Sequence, residues 1–143
     1  MSASYQVDPR GLRVAAGVTS AVLAAVLVSP SPLREALLAV QVAVFAIAVL
    51  FGLAASPYSA LFRVAVRPRL GPPKQTEDSR PPRFAQLVGL LFTAGGLLSF
   101  VLGGSVAGLV LVAFALVAAL LNAAVGLCLG CELYLVLRRL TSA

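Results

Sequence analysis

The sequence predicts an all-α, polytopic membrane protein: a four-transmembrane-helix bundle with a short interfacial helix on the cytoplasmic side. Three observations predict it. The 143-residue chain is 60% hydrophobic and only 11% charged, whereas soluble domains run nearer a quarter charged. The apolar residues gather into four long runs, about 12–28, 36–55, 84–102 and 106–128, the last continuing apolar beyond its span. A helix needs roughly 17–25 such residues to cross a bilayer. Finally, of the 11 lysines and arginines, all except Arg34 fall at the start, in the middle loop or in the tail.

That third observation sets an expected orientation. Arg10 and Arg13 lie at the start, and Arg63, Arg67, Arg69, Lys74, Arg80 and Arg83 lie in the loop at 56–83. Arg138 and Arg139 lie in the tail at 129–143. Cations are retained on the cytoplasmic side of short loops, so both termini and the loop are expected inside a bacterial cytoplasmic membrane. The formal charge of +6 therefore reads as topology and not as a nucleic-acid footprint. The lipid bilayer is the expected partner, and nucleic acid is not.

At the first run, Asp8-Pro9-Arg10 reads as a helix start, with Asp8 as cap and Pro9 in the first turn. A cleaved signal peptide is the alternative, but Val26-Leu27-Val28 before Ser29-Pro30 lacks the small residues that cleavage favours. Residues 29–35 form a proline-bounded outer turn, and Gly103-Gly104-Ser105 forms the other. Neither is large enough for a catalytic domain. Ser56-Pro57 caps a short helix in which Tyr58, Leu61, Phe62 and Ala65 fall at helical spacing, as an interfacial helix requires. Arg67-Pro68-Arg69-Leu70-Gly71-Pro72-Pro73 ends it. The basic residues Arg63, Arg67, Arg69, Arg80 and Arg83 are candidates for docking a partner or anionic lipid; the plainer reading is that they only fix topology.

The fourth run is too long for one span. Read as one helix from 106 to 137 it would measure roughly 45–50 Å against a ~30 Å core. It either tilts and protrudes or breaks near Gly126. A break would leave Cys128 near the start of a new interfacial helix, within reach of the helix dipole.

Cys128 and Cys131 are the chain's 2 cysteines, in the sequence Gly126-Leu127-Cys128-Leu129-Gly130-Cys131-Glu132. With no histidine present, His-ligated metals and His general bases are excluded, and Glu132 stands where haem attachment would need histidine. Zinc and iron–sulfur sites want four ligands, and two sulfurs do not supply them; no metal and no cofactor is expected. There remain a dithiol–disulfide pair, a thiol that accepts sulfur, and ordinary buried packing. Glu132, one residue beyond, is a candidate modulator of either thiol.

The sparse polar residues within the runs, Thr19, Gln41, Gln86, Thr93 and Asn122, read as hydrogen bonds between helices. Away from the ends of the spans no charged residue is available for a proton relay or an ion path, so a small transporter is the least supported function. Gly17, Ala21 and Ala25, and likewise Asn122, Gly126 and Gly130, form small-residue stripes expected at helix contacts.

Several segments together resemble a family of small bacterial membrane proteins known as domain of unknown function 4395. They are Val7-Asp8-Pro9-Arg10-Gly11-Leu12-Arg13, Ser56-Pro57-Tyr58 with Phe62-Arg63, residues 67–73, residues 80–86, Leu121-Asn122-Ala123-Ala124 and Cys128 to Glu132. The resemblance covers nearly the whole chain. It implies no established activity. Through its association in actinobacteria with thioredoxin-like proteins and thiosulfate sulfurtransferases, it implies thiol redox or sulfur handling. Cys128 and Cys131 would be the carriers, and a cytoplasmic thioredoxin-like or sulfurtransferase protein the partner. The competing expectation is a non-enzymatic structural or assembly subunit of a membrane complex. On either reading the chain is a membrane component and not an independent enzyme.

Overall fold

A computed structural model of the chain describes residues 6–72 and 75–142; Pro73 and Lys74 of the middle loop lie outside the described residues. Among the described residues four helices are long and apolar enough to cross a membrane: α1 (Pro9–Val28), α2 (Leu33–Phe51), α5 (Arg80–Val101) and α6 (Ser105–Val125). Between α2 and α5 lie a 3₁₀ turn (Leu53–Ala55), α3 (Pro57–Leu61), a π turn (Phe62–Val66) and α4 (Arg67–Leu70). Helix α7 (Leu129–Ser142) follows α6. The chain is thus an all-α, multi-pass membrane protein, as its composition predicts.

The four long helices close into a ring in which α1 packs on α2 and α6, and α5 packs on α2 and α6. Short turns join α1 to α2 and α5 to α6, so consecutive helices run in opposite directions. The start of α1, the end of α2, the start of α5 and the end of α6 therefore share one end of the bundle. All the described cations except Arg34 lie near that basic end. Arg34 lies at the far end, its guanidinium 4.1 Å above the Phe100 ring and 3.3 Å from Glu35. Stacking on an aromatic face and pairing with a carboxylate hold this charge on its largely apolar helix.

The two ends pack differently. At the far end Leu23, Val26, Leu38, Phe100 and Val112 form a buried cluster. Lipid tails are as apolar as leucine, so this contact rests on close fit and not on removal from water. The fit is tight: a Cβ added at Gly108 would stand 2.6 Å from the Phe100 ring. Outward from the ring Val106, Val110, Phe114, Val117 and Leu120 are all exposed along α6. In water such a face would be an association hazard; against acyl chains it is the required surface.

Local chemistry starts and stops the helices. Asp8 caps α1, accepting from the Arg10 amide at 2.9 Å, with Pro9 following it. Gly52 (φ 103°) ends α2, and the Ser56 hydroxyl accepts from the Tyr58 amide at 3.2 Å to cap α3. The helical run from Pro57 continues past Pro68 to Leu70 and stops at Gly71 (φ 77°). Pro68 has no N–H to donate, and the wide π turn just before it carries the chain through that gap. Phe62 anchors the run, 4% exposed, its ring against Gly11 of α1 where a Cβ would stand 3.0 Å away.

A two-residue antiparallel ladder, β1 (Gln6–Val7) with β2 (Glu77–Asp78), clasps the chain ahead of α1 to the loop ahead of α5. Arg10 extends the clasp, binding the Asp8 carboxylate at 2.8 Å and the Gly71 carbonyl at 2.9 Å. The hydrogen bonds from Arg10 hold the Asp8 carboxyl below its ordinary value, against an opposing push from burial. A lowered folded-state pKa contributes stability above the unfolded value and loses it as pH falls through the folded one. Proteolysis of the middle loop is therefore expected to accelerate below about pH 4, the ordinary aspartate range. Asp8→Ala should produce the same loosening at neutral pH, costing about 1 kcal/mol for the cap. A loop whose cleavage rate is flat across that range in the native protein would remove this account.

Candidate functional site

The fourth run breaks. Helix α6 ends at Val125, and Gly126 adopts the left-handed conformation (φ 75°). The Gly126 amide donates to the Asn122 carbonyl at 3.0 Å and the Leu127 amide to the Leu121 carbonyl at 3.2 Å, a closure that favours glycine at the turn. Arg13, reaching across from α1, donates to the Ala123 carbonyl at 3.1 Å and the Ala124 carbonyl at 3.0 Å. These are orphan carbonyls of a helix C-terminus, where a cation is stabilising.

Three residues later the chain turns into α7, with Cys128 immediately before its first residue. Cys128 and Cys131 are joined as a disulfide, their Cα atoms 5.1 Å apart. The Cys128 sulfur also accepts from the Cys131 amide at 3.1 Å, and the Cys128 carbonyl accepts from the Glu132 amide at 3.0 Å. Cys128 thus stands where serine or aspartate commonly caps a helix. Both cysteines are half-buried, and Glu132 is exposed in the first turn of α7. Close approach to α5 seats the motif: a Cβ at Gly130 would lie 2.6 Å from the Ala85 Cα. Phe84 and Tyr134 stack beyond it with ring centroids 5.6 Å apart. Along α7 the residues Leu129, Leu133, Val136 and Leu140 share one face at helical spacing, all exposed. An apolar stripe ending at Arg138 and Arg139 fits a helix lying at the bilayer surface.

Beneath the disulfide the basic end of the bundle is hollow. A cavity of about 420 Å³ is lined by both cysteines and by residues from all four long helices and α3. Its polar wall includes Tyr58, Gln86 and Asn122, and its apolar wall includes Phe45, Phe92 and Phe114. The Tyr58 hydroxyl donates to Gln41 Oε1 at 2.7 Å, and burial raises the phenol's pKa, so it stays a neutral donor. Gln41 is fully buried, and its Nε2 has no partner among the described residues. A buried amide donor without an acceptor is uncommon.

The remaining candidates scatter. Arg83 donates to the Val49 carbonyl at 2.9 and 2.6 Å, closing the end of α2. Arg80 pairs with Asp78 at 2.6 Å, and Arg63 donates to the Ala54 carbonyl at 3.1 Å. Arg67 and Arg69 are exposed. Of the small residues, Asn122 lines the cavity, Gly126 makes the turn and Gly130 makes the α5 contact. Gly17 has nothing within 4 Å of a Cβ, and Ala21 is exposed. The face α1 buries is instead Ala16, Thr19, Ser20, Leu23 and Val26, so the stripe through Gly17, Ala21 and Ala25 lies beside the helix contact.

Sequence reasoning missed the Tyr58–Gln41 pair and the Arg13 clamp. An isolated glutamine in an apolar run and an arginine inside a span were the available signals. They named neither partner, because each partner is distant in the chain.

No curated protein and no solved structure matches the chain. A family model described as Domain of unknown function (DUF4395) matches residues 7–139. That match takes in all four spans, the clasp except Gln6, and the cysteine pair, and the chain belongs to that family.

Proposed function

We propose that this protein is a membrane-bound thiol–disulfide exchange component, acting through Cys128 and Cys131 on the cytoplasmic side of a bacterial cytoplasmic membrane. One observation carries the proposal: the disulfide sits at a helix start, with the Cys128 sulfur accepting a backbone N–H. In the reduced pair that amide and the α7 dipole favour the thiolate, the reactive form of cysteine. The cations at the basic end support that side of the membrane.

A thioredoxin-like partner supplies the electrons. A partner thiolate attacks the Cys128 sulfur, and Cys131 leaves and takes up a proton. The partner's second thiolate then attacks the mixed disulfide, and Cys128 departs as a thiolate held by the α7 amides. The partner ends oxidised and the pair reduced. The exposed Arg67 and Arg69 offer a docking surface for an acidic partner face.

Labelling by a heavy maleimide in acid-quenched membranes tests this. The native chain is expected to gain two labels after reductant and none before it. Cys131→Ser is expected to accumulate a reductant-sensitive adduct on Cys128. A sulfur relay would instead leave a labile persulfide on a single thiol. A pair whose labelling never responds to reductant or oxidant, with no adduct in either single variant, would show that the cysteines only pack.

A further inference from the structure

The cavity beneath the disulfide is not needed for exchange with a soluble partner, yet both cysteines form part of its wall. We infer that it binds the head of a lipid-soluble quinone, which accepts the electrons of the Cys128–Cys131 dithiol. This inference rests on the thiol-exchange reading and gives that chemistry its oxidant.

Depth comes first. Asn122 is three residues from the end of α6, but Phe114 is eleven from it; at about 1.5 Å per residue the hollow reaches roughly 16 Å into the bundle. That is about half of a ~30 Å hydrocarbon core. An occupant reaching that depth, past Phe45 and Phe92 to Phe114 at the outward-facing rim, arrives from lipid or carries an apolar body. A volume of about 420 Å³ falls within the roughly 300–1,000 Å³ of small-molecule sites.

Polarity comes second. Tyr58, Gln86 and Asn122 bring hydroxyl and amide groups to a largely apolar wall that also carries Arg13, Thr19, Ser56 and Ser59, and Gln41 behind Tyr58 holds an amide donor with no acceptor among the described residues. Such a wall suits a flat, neutral ring bearing carbonyl oxygens. A saturated acyl chain would use neither these groups nor the sulfurs. No described aspartate, glutamate or lysine lines the cavity, and its lining cation, Arg13, is already engaged by the Ala123 and Ala124 carbonyls.

The chemistry balances. The Cys128 thiolate, the Cys131 thiol, one quinone and one proton give the disulfide and one quinol. Two electrons leave the sulfurs as the S–S bond forms. The Cys131 proton and the added proton end on the two quinone oxygens. A partner dithiol then reduces the disulfide again.

The test uses the full chain in quinone-free lipid nanodiscs, reduced, freed of reductant and kept anaerobic. The probe is a short-tailed, fully substituted benzoquinone. One quinol is expected per disulfide formed, read by quinone absorbance and thiol labelling. Ala118→Phe, which fills the cavity, and Asn122→Leu, which removes an amide from its wall, should each slow this step at least about ten-fold, the scale on which misplaced reactants lose rate. Exchange with dithiothreitol should be unchanged in both, which also shows that they fold. If the pair exchanges with dithiothreitol but forms no quinol, the quinone inference fails and the thiol reading stands. It fails too if both variants form quinol at the native rate, since the reaction then bypasses the cavity. A pair inert to dithiothreitol overturns both.

Discussion

Cys131→Ser is expected to leave a Cys128 thiol that reacts with a soluble maleimide at least about ten-fold faster than the Cys131 thiol left by Cys128→Ser. Both residues are half-buried, so access does not distinguish them; position on α7 does. Cys128 stands just before the helix with its sulfur on an amide N–H, while Cys131 lies within the first turn. A hydrogen bond to a charged acceptor contributes about 1.5–3 kcal/mol, and about 1.4 kcal/mol is one decade in thiolate population. The advantage of Cys128 should therefore be largest near neutral pH, and should shrink as alkali ionises both thiols. In Cys128→Ser the serine is itself a good cap, so α7 persists and the comparison remains fair. Equal rates, or a faster Cys131, would mean that the helix start does not activate the pair.

The second large effect concerns how α7 is held. Gly130→Val is expected to destabilise the protein by about 1–3 kcal/mol, the usual cost of forcing methyl groups into a filled contact. The obstruction is the Cα and Cβ of Ala85 on α5, and neither can swing aside as a flexible side-chain tip could. Relief requires α7 to move off α5, which takes the cysteine pair with it. Labelling of the reduced pair should then rise along with the loss of stability. Gly17→Val provides the contrast. Nothing lies within 4 Å of its Cβ, and the change should fall within about 0.5 kcal/mol, as substitutions outside packed contacts usually do. Thermal unfolding in a fixed detergent compares the two. Should Gly17→Val prove the more damaging, its stripe would be a contact between copies and the present account of α1 would be wrong.

Hydropathy and charge together carried much of the architecture. Four apolar runs of spanning length and one cation-poor end follow from the side chains alone. So do the starts of two helices, because a cap acts within three residues: Asp8 before Pro9 and Ser56 before Pro57 hold their own neighbours' amides. The excess length of the last run likewise pointed to Gly126, leaving a steep tilt or a break as the two solutions.

Which of those solutions holds, and which faces pack, only the tertiary structure decided. In water the buried face of a helix announces itself by being apolar against a polar one. In lipid both faces are apolar, so periodicity loses its meaning and fit takes over. That is why the stripe through Gly17, Ala21 and Ala25 reads as a contact but lies beside one, while Gly130 meets Ala85, 45 positions away in the sequence. The hollow beneath the cysteines has the same origin: it is bounded by all four long helices, and no single segment encodes it. Sequence alone determined that the chain crosses a membrane and carries one pair of thiols. Their enclosure with Tyr58, Gln86 and Asn122 around one cavity arises only when the ring of helices closes.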